Sequence, residues 1–498
     1  MPKKEAGPET TSAAYEAMLP EWSIVSSLLG GTISMRDAGT SLLPSHENES
    51  DGAYQERLSR SVLLNLTSLT LDSWVGRPFR DPLKDSELPD DQRSWFGDVD
   101  KQGNGLDVWA RNWFSDGLAK GLTHALVDFP RPRDTQSEEG RPRTLADDNQ
   151  EGLRPYFVHV RPENVLFAHA EMIDGVEVLT HVRIAQTIVE RDKYEEVVIN
   201  QIKIFEPGHV EIWQEKNKNR SNARTEYTLV DAYDYDLDFI PMVTFYAYRT
   251  GFMTAKSPLL DLAYLNVAHW QSDSDQTNIL TVSRFPMLAG SGIGEEDHMT
   301  VGPNTMLKTS DPQGRYYYVE HTGKAIAAGD QHLASLEDRM KGYGAEFLKK
   351  RPGRETATAR ALDSAESSSA LQSTTIAFGD AVNELYRMAA AWQNSEPGTV
   401  EINNDFGADE TDSRALDAIR DARAGRDLSR EVFLHELVRH NVLSDDFDAA
   451  QNQSDLEAEA TAILGSPAFN IDPGAPEPDT KRKPDPEKKP DDEGPDDK

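Results

Sequence analysis

The chain has 498 residues, with 52 Lys and Arg against 86 Asp and Glu for a formal charge of −34, and no cysteine. That length exceeds one compact domain and predicts roughly two to four subregions. The missing thiols exclude disulfides, thiolate metal sites and cysteine nucleophiles, and the average surface repels free nucleic acid.

A local cationic ring can still hold DNA inside an anionic body; solubility or a salty environment would explain the acidity equally well. No apolar run approaches the ~18 residues of a bilayer span. Met1-Pro2-Lys3-Lys4-Glu5 lacks an apolar signal core. The expectation is a soluble protein made without export.

Residues 1 to about 20 are polar and read as loose. From 21 to 80 the pattern is helical, with Tyr54, Leu58, Val62, Asn65 and Leu69 at helical spacing and Gly76-Arg77-Pro78 as the stop. Residues 107–122 read as an amphipathic helix leading into a buried strand, 124–130. A charged loop-like segment at 131–152 separates it from strands expected over 156–160, 178–189, 195–205, 210–213 and 242–248.

Ser257 fits an N-cap and Pro258 a first helical turn. The helix that follows carries Leu259, Leu262, Leu265, Val267 and Trp270 and runs roughly 40 Å towards 285. Strand-like pieces at 286–293 and 315–321 come next, separated by Gly and Pro turns. A second helix places Leu333, Leu336, Met340, Tyr343 and Phe347 on one face. Between Lys349 and Arg360 there are five positive charges (Lys349, Lys350, Arg351, Arg354, Arg360) and one negative, Glu355. Pro352-Gly353 stops simple helix continuation. Lys349 and Lys350 would also complement the dipole of the preceding helix, which accounts for part of this charge without DNA. A long Ala- and Ser-rich helix over 356–392 follows. Further amphipathic helices are expected at 414–424 and 428–442, after an acidic connection at 405–412. The Pro-, Asp- and Lys-rich tail from 465 has too few apolar residues to offset its ordering entropy and is expected to be disordered.

Catalytic motifs are weak. Asp98-Val99-Asp100-Lys101-Gln102-Gly103 begins like a calcium loop, but Trp109 stands where the closing Glu belongs. His435 and His440 are five apart, which turns them about 140° from each other on a helix and argues against zinc. Gly290-Ser291-Gly292-Ile293-Gly294 lacks the Lys of a phosphate loop. Asp273 and Asp275 lie about 200° apart on their helix.

Several stretches together resemble the portal proteins of tailed bacteriophages, in the group with a conserved domain of formerly unknown function. They are Trp22 through Gly31, Arg36, Gly39 and Leu43-Pro44; Tyr54-Gln55-Glu56-Arg57-Leu58 with Asn65 and Gly76; and Gly105-Leu106 through Gly121 to Val127-Asp128-Phe129-Pro130. To these are added Arg154-Pro155-Tyr156 with Pro162-Glu163, the run from Ser257 to Asn266 with Ser274-Asp275 and Pro286, and Met340 with Gly344-Ala345 and Glu355-Thr356-Ala357-Thr358. Their order and spacing carry the resemblance, over about 22–464. The acidic surface, the tail and the polar Leu122-Thr123-His124 depart from the pattern.

The resemblance implies an α+β portal-like protomer: a flexible arm (1–20), an α/β wing (21–257), a two-helix stem (258–285 and 329–350), a small β-containing clip (286–328), a tunnel loop and long tunnel helix (351–398), a helical crown (399–464) and a disordered acidic tail (465–498). It further implies a homo-oligomeric ring of about twelve copies at one capsid vertex of the virion, made in the host cytoplasm and without membrane contact. Double-stranded DNA would pass through the ring in packaging and ejection. Lys349, Lys350, Arg351, Arg354 and Arg360 are the expected DNA contacts. The terminase large subunit, the major capsid protein and head-tail adaptor or tail proteins are the expected partners. Ser364, Ser367, Ser368, Ser369 and Ala370 would let tunnel helices approach closely, and Gly379 would let them bend. No cofactor, metal or catalysis is expected. The alternatives are an acidic metal-dependent hydrolase gathering Asp98, Asp100, Asp273 and Asp275, or another virion structural protein.

Overall fold

The computed structural model describes residues 7–130, 152–216, 226–284, 287–291, 312–319, 324–343, 357–404, 406, 413–439, 442–443 and 447–464. The chain divides into two units between Gly407 and Ala408.

Helix α1 (Ala13–Leu29) starts at Ser12, whose side chain accepts the Tyr15 N–H at 3.1 Å. It buries Met18, Trp22, Val25 and Leu28 along one stripe. The arm expected to be loose as far as 20 is therefore helical from Ala13, because that stripe begins at Met18. After α2 (Gly31–Asp37) come α3 (Asp51–Arg60) and α4 (Leu66–Gly76). The periodic run from Tyr54 to Leu69 is thus two helices. Ser61 turns extended at φ −65°, ψ 134°, and its N–H returns to the Arg57 carbonyl at 3.2 Å. Asn65 then caps α4: Oδ1 accepts the Ser68 N–H at 3.0 Å while Nδ2 donates to the Leu28 carbonyl at 2.7 Å. Val62 and Leu69, placed inward by the continuous reading, are 59% and 47% exposed.

A short strand β1 (Lys84–Asp85) and a single-turn helix α5 (Asp90–Arg93) lead to α6 (Leu106–Lys120), β2 (Leu122–Asp128) and β3 (Tyr156–Val160). The strands β4 (Val165–Ile173), β5 (Val176–Asp192), β6 (Glu195–Glu206), β7 (His209–Glu215) and β8 (Tyr227–Asp234) form an antiparallel meander. Strand β9 (Met242–Tyr246) pairs with β2 to complete a three-stranded antiparallel sheet in the order β3-β2-β9. The hairpin β10 (Arg249–Gly251) and β11 (Thr254–Ala255) follows.

Both faces of β2 are covered, which is why it reads as a near-continuous apolar run. Ala125 and Val127 face α6, whereas Leu126 joins Val182, Phe205 and Met242 in a second core against the meander. The polar pair in this strand is satisfied rather than misplaced. The Thr123 hydroxyl donates to Asp116 Oδ2 at 2.9 Å, and His124 Nδ1 lies 2.9 Å from Thr244 Oγ1. Burial pushes the His124 imidazole down to about 3, so it stays neutral. Burial alone would raise Asp116, but its hydrogen bond to His159 and the adjacent Lys120 charge hold it at about 2. Lys120 Nζ bridges Asp116 at 2.9 Å and Glu163 at 2.7 Å.

The helix α7 (Leu260–Ser283) leaves this body, followed by β12 (Met287–Ser291), β13 (Arg315–Val319), α8 (Lys324–Lys341) and α9 (Ala357–Gln393). The second stem helix, expected at 329–350, therefore begins earlier and stops at Lys341, where Gly342 and Tyr343 close a turn onto the Arg339 and Met340 carbonyls. Tyr343, expected on its apolar face, is 45% exposed, and Phe347 lies outside the described residues. Strand β14 (Val400–Glu401) pairs with β1, and the Gly398 N–H reaches Gln92 Oε1 at 3.0 Å. Residues 399–407, assigned to the crown from sequence, hence belong to the first unit.

The second unit holds α10 (Ser413–Ala424), α11 (Arg430–Arg439) and α12 (Ala449–Leu464), with α10 adjacent to α11. His435 sits in α11; His440 and the tail 465–498 lie outside the described residues. No described helix is long and apolar enough to cross a membrane.

Gly121 joins α6 to β2 at φ +88°, and a β-carbon there would stand 2.9 Å from the Lys256 carbonyl carbon and the Ser257 nitrogen. Gly121→Ala is expected to cost about 1–3 kcal/mol, read as a lowered urea midpoint for the first unit.

Candidate functional site

The segment from Ser257 to Gln393 is fixed at both ends to the body that carries the three-stranded sheet. At its start the Ser257 hydroxyl donates to the Leu118 carbonyl at 2.9 Å and accepts the Leu259 N–H at 3.1 Å. At its end the second half of α9 lies on the same face of the three-stranded sheet as α6. Phe378 stands 5.0 Å from Trp113, 4.9 Å from Phe114 and 5.0 Å from Phe245 between ring centroids. All four rings are fully buried. Gly379 lies within the helix, where Ile402 would come 3.2 Å from an added β-carbon, so the absent side chain accommodates the strand-forming segment beyond α9.

One stripe of α7 carries Asn266, Trp270 and Ser274 at intervals of four, all buried. Asn266 Oδ1 accepts from the Thr67 N–H at 3.1 Å and its hydroxyl at 3.0 Å, and Nδ2 donates to the Leu64 carbonyl at 2.8 Å. Those are the groups left open where the helix breaks between α3 and α4. Ser274 Oγ lies 2.8 Å from Ser61 Oγ and accepts from Arg57 at 3.4 Å. Arg57, only 2% exposed in its side chain, forks onto Glu49 at 2.7 and 2.8 Å and donates to the Pro44 carbonyl at 2.9 Å. That hydrogen-bonded guanidinium holds the Glu49 carboxyl down at about 2. Gln271 adds a bond to the Leu42 carbonyl at 2.9 Å.

Contacts between α7 and α8 run in opposite chain directions. His269 lies 3.7 Å from Glu337, while Gln276 Nε2 donates to the Ile326 carbonyl at 2.9 Å and to Asp330 at 2.8 Å. The helices are therefore antiparallel, with Leu336 and Met340 buried between them and the body. Strands β12 and β13 pair antiparallel from Met287↔Val319 to Ser291↔Arg315, a hairpin at the far end of the helix pair.

Of the expected DNA contacts, Lys349, Lys350, Arg351 and Arg354 lie outside the described residues, as do residues 292–294 of the glycine-rich turn. Arg360 falls in the first turn of α9. The four carboxylates of the hydrolase alternative are not gathered. Asp98 accepts the Gly103 N–H at 2.8 Å and pairs with Arg154 at 3.1 Å. Asp100 accepts the Gln102 N–H at 2.9 Å. Asp275 meets His46 at 3.1 Å and Arg57 at 3.6 Å, and burial pushes the Asp273 carboxyl up. Among the described residues no group of three or more His, Asp or Glu could hold a metal ion. Sequence reasoning missed Gln276 and the anchoring roles of Arg57 and Asn266; the signal available for Asn266 was a polar residue, with Ser274 two helical steps on, flanking Trp270 on one stripe.

A family model described as a domain of unknown function, DUF4055, matches residues 258–393. No curated protein matches the chain. Similar solved structures include one from the neck of a native gene transfer agent particle, computed with C12 symmetry (TM-score 0.36, 11% identity, 75% of this chain and 89% of that one). Another comes from the virion of a native gene transfer agent particle (0.34, 12%, 81% and 90%). A third is from the neck of an empty particle computed with C6 symmetry (0.34, 11%, 88% and 93%).

Two outcomes are expected. Asn266→Leu strands the Thr67 N–H and the Leu64 carbonyl and should cost about 1–3 kcal/mol in a denaturant titration. Glu49 has its folded pKa depressed from 4.5 to about 2, so its stabilisation is complete above pH 4.5 and disappears as pH falls through about 2. Glu49→Gln should flatten the melting temperature across that window; an unchanged slope would show that Arg57 does not hold the carboxylate.

Proposed function

We propose that the chain is a portal protein: one of about twelve identical subunits forming a ring at a capsid vertex, through which double-stranded DNA enters and leaves. The observation that supports this best is the segment 257–393. An antiparallel helix pair leaves the body, carries a β-hairpin at its far end, returns through a cationic stretch, and docks by a long helix on the sheet that launched it. Repeated around an axis, such helix pairs make a wall, and the cationic stretches make an inner collar.

The division of labour follows from charge. A net −34 body repels phosphates and keeps DNA from adhering. A narrow collar built from Lys349, Lys350, Arg351 and Arg354, with Arg360 behind it, touches the backbone without reading sequence. The chain supplies passage and alignment, and a separate ATPase, the terminase, supplies the work. The hairpin end of the helix pair is the docking surface for that motor and later for adaptor or tail proteins. The wing faces the capsid shell.

Negative-stain images of the purified protein should show rings with a central hole; a compact monomer would end the reading. The variant Arg351→Glu/Arg354→Glu should keep the ring and cut packaged DNA by roughly an order of magnitude. Heads filled to the normal level would remove the collar from the mechanism.

A further inference from the structure

The chain leaves the body at Pro258 and returns to it along α9, and both places border one apolar cavity of about 190 Å³. Trp74 of α4, Leu118 of α6, Tyr248 and Pro258 line it from the body, and Leu371 and Thr374 line it from α9. Leu118, Leu371 and Thr374 are buried and form a closed floor. Tyr248 is 49% exposed, and Ala370 beside it in the lining is exposed too, so the rim meets solvent.

No charged side chain lines this cavity. The Thr374 hydroxyl is spent on the Ala370 carbonyl at 3.0 Å. The Leu118 carbonyl accepts from the Ser257 hydroxyl at 2.9 Å, and the Tyr248 carbonyl accepts the Lys256 N–H at 2.9 Å. Pro258 has no N–H to offer. A phosphate, carboxylate or sugar would shed its water here without recovering the lost hydrogen bonds. An uncharged ring sheds little, and it meets two leucines, a proline and two aromatic side chains. Size narrows the class further. Cavities of about 150 Å³ with aliphatic and aromatic walls take up benzene, so this one has room for a single ring or a small fused pair.

We propose that this cavity is a binding site for one small, uncharged aromatic molecule of benzene to indole size. The occupant is a free molecule rather than the side chain of a polypeptide. A ring carried by a peptide would bring its amides to the rim, where the α9 backbone is bonded within its helix and the Tyr248 carbonyl is already engaged. A ligand seated here touches the exit of the segment and its return at once, so binding stabilises the docking of α9 on the body. The site lies within one subunit and is independent of any assembly.

The test adds indole to the full chain. Calorimetry should show saturable binding with a Kd at or below about 1 mM. At ten times that concentration the melting temperature of the first unit should rise by at least about 1 °C. No saturable binding up to the solubility limit of indole overturns the proposal. Ala370→Trp sets a ring across the rim from an exposed helical position and should weaken indole at least about tenfold, with an unchanged far-UV spectrum. Thr374→Met fills the cavity from its floor and should do the same. Undiminished affinity in either folded variant puts indole elsewhere and overturns the site. Two further probes test the chemistry on the wild type. Indole-3-carboxylate should bind at least about tenfold more weakly than indole, and equal affinity overturns the uncharged class. N-acetyltryptophanamide should also bind more weakly, and equal affinity assigns the ring to a polypeptide and overturns the free ligand.

Discussion

Everything that projects from this protein depends on one sheet face being shared by two helices. Helix α6 reaches it directly from sequence, while α9 arrives only after the chain has gone out through the helix pair and come back. Phe378 closes the gap between Trp113, Phe114 and Phe245, so the return of the chain is fixed by the same aromatic packing that holds the body together. Burying four such rings removes several hundred Å² of apolar surface from water, which dominates any single polar contact in the region. The excursion between Ser257 and α9 therefore has two fixed feet.

The contacts that steer the excursion are of another kind. Asn266, Ser274, Arg57 and Gln276 are buried polar groups, and burial of such groups contributes little net stability while penalising every arrangement that leaves one unpaired. Asn266 and Ser274 meet groups at the break between α3 and α4, Arg57 reaches the Pro44 carbonyl, and Gln276 binds the Ile326 carbonyl and Asp330 in α8. Apolar packing attaches the helix pair; hydrogen bonding determines its rotation and its slide.

Sequence periodicity located the helix pair, the strand-like pieces between them and the long helix, because each is a long element with one dominant pattern. It failed where a pattern continued across a break. Tyr54, Leu58, Val62, Asn65 and Leu69 keep helical spacing although Ser61 and Asn65 end one helix and start another, and only the capping side chains betray it. It also undervalued Thr123 and His124, whose partners Asp116, His159 and Thr244 come from a helix and two other strands and cannot be seen locally. The stepped register of the meander, where β5 meets β4 over 176–184 and β6 over 182–192, was likewise illegible, since strand composition shows where strands are but not how far each neighbour extends. The cationic stretch was legible as charge alone.

Gly329 lets a side chain of one paired helix reach the backbone of the other. A β-carbon there would stand 2.0 Å from Gln276 Oε1, and the same glutamine's amide is already committed to Ile326 and Asp330. The end of the Gln276 side chain thus fills the space a β-carbon would take, in the second turn of α8, at the end of the pair next to β12 and β13. What a bare α-carbon secures here is room for a hydrogen bond across the pair.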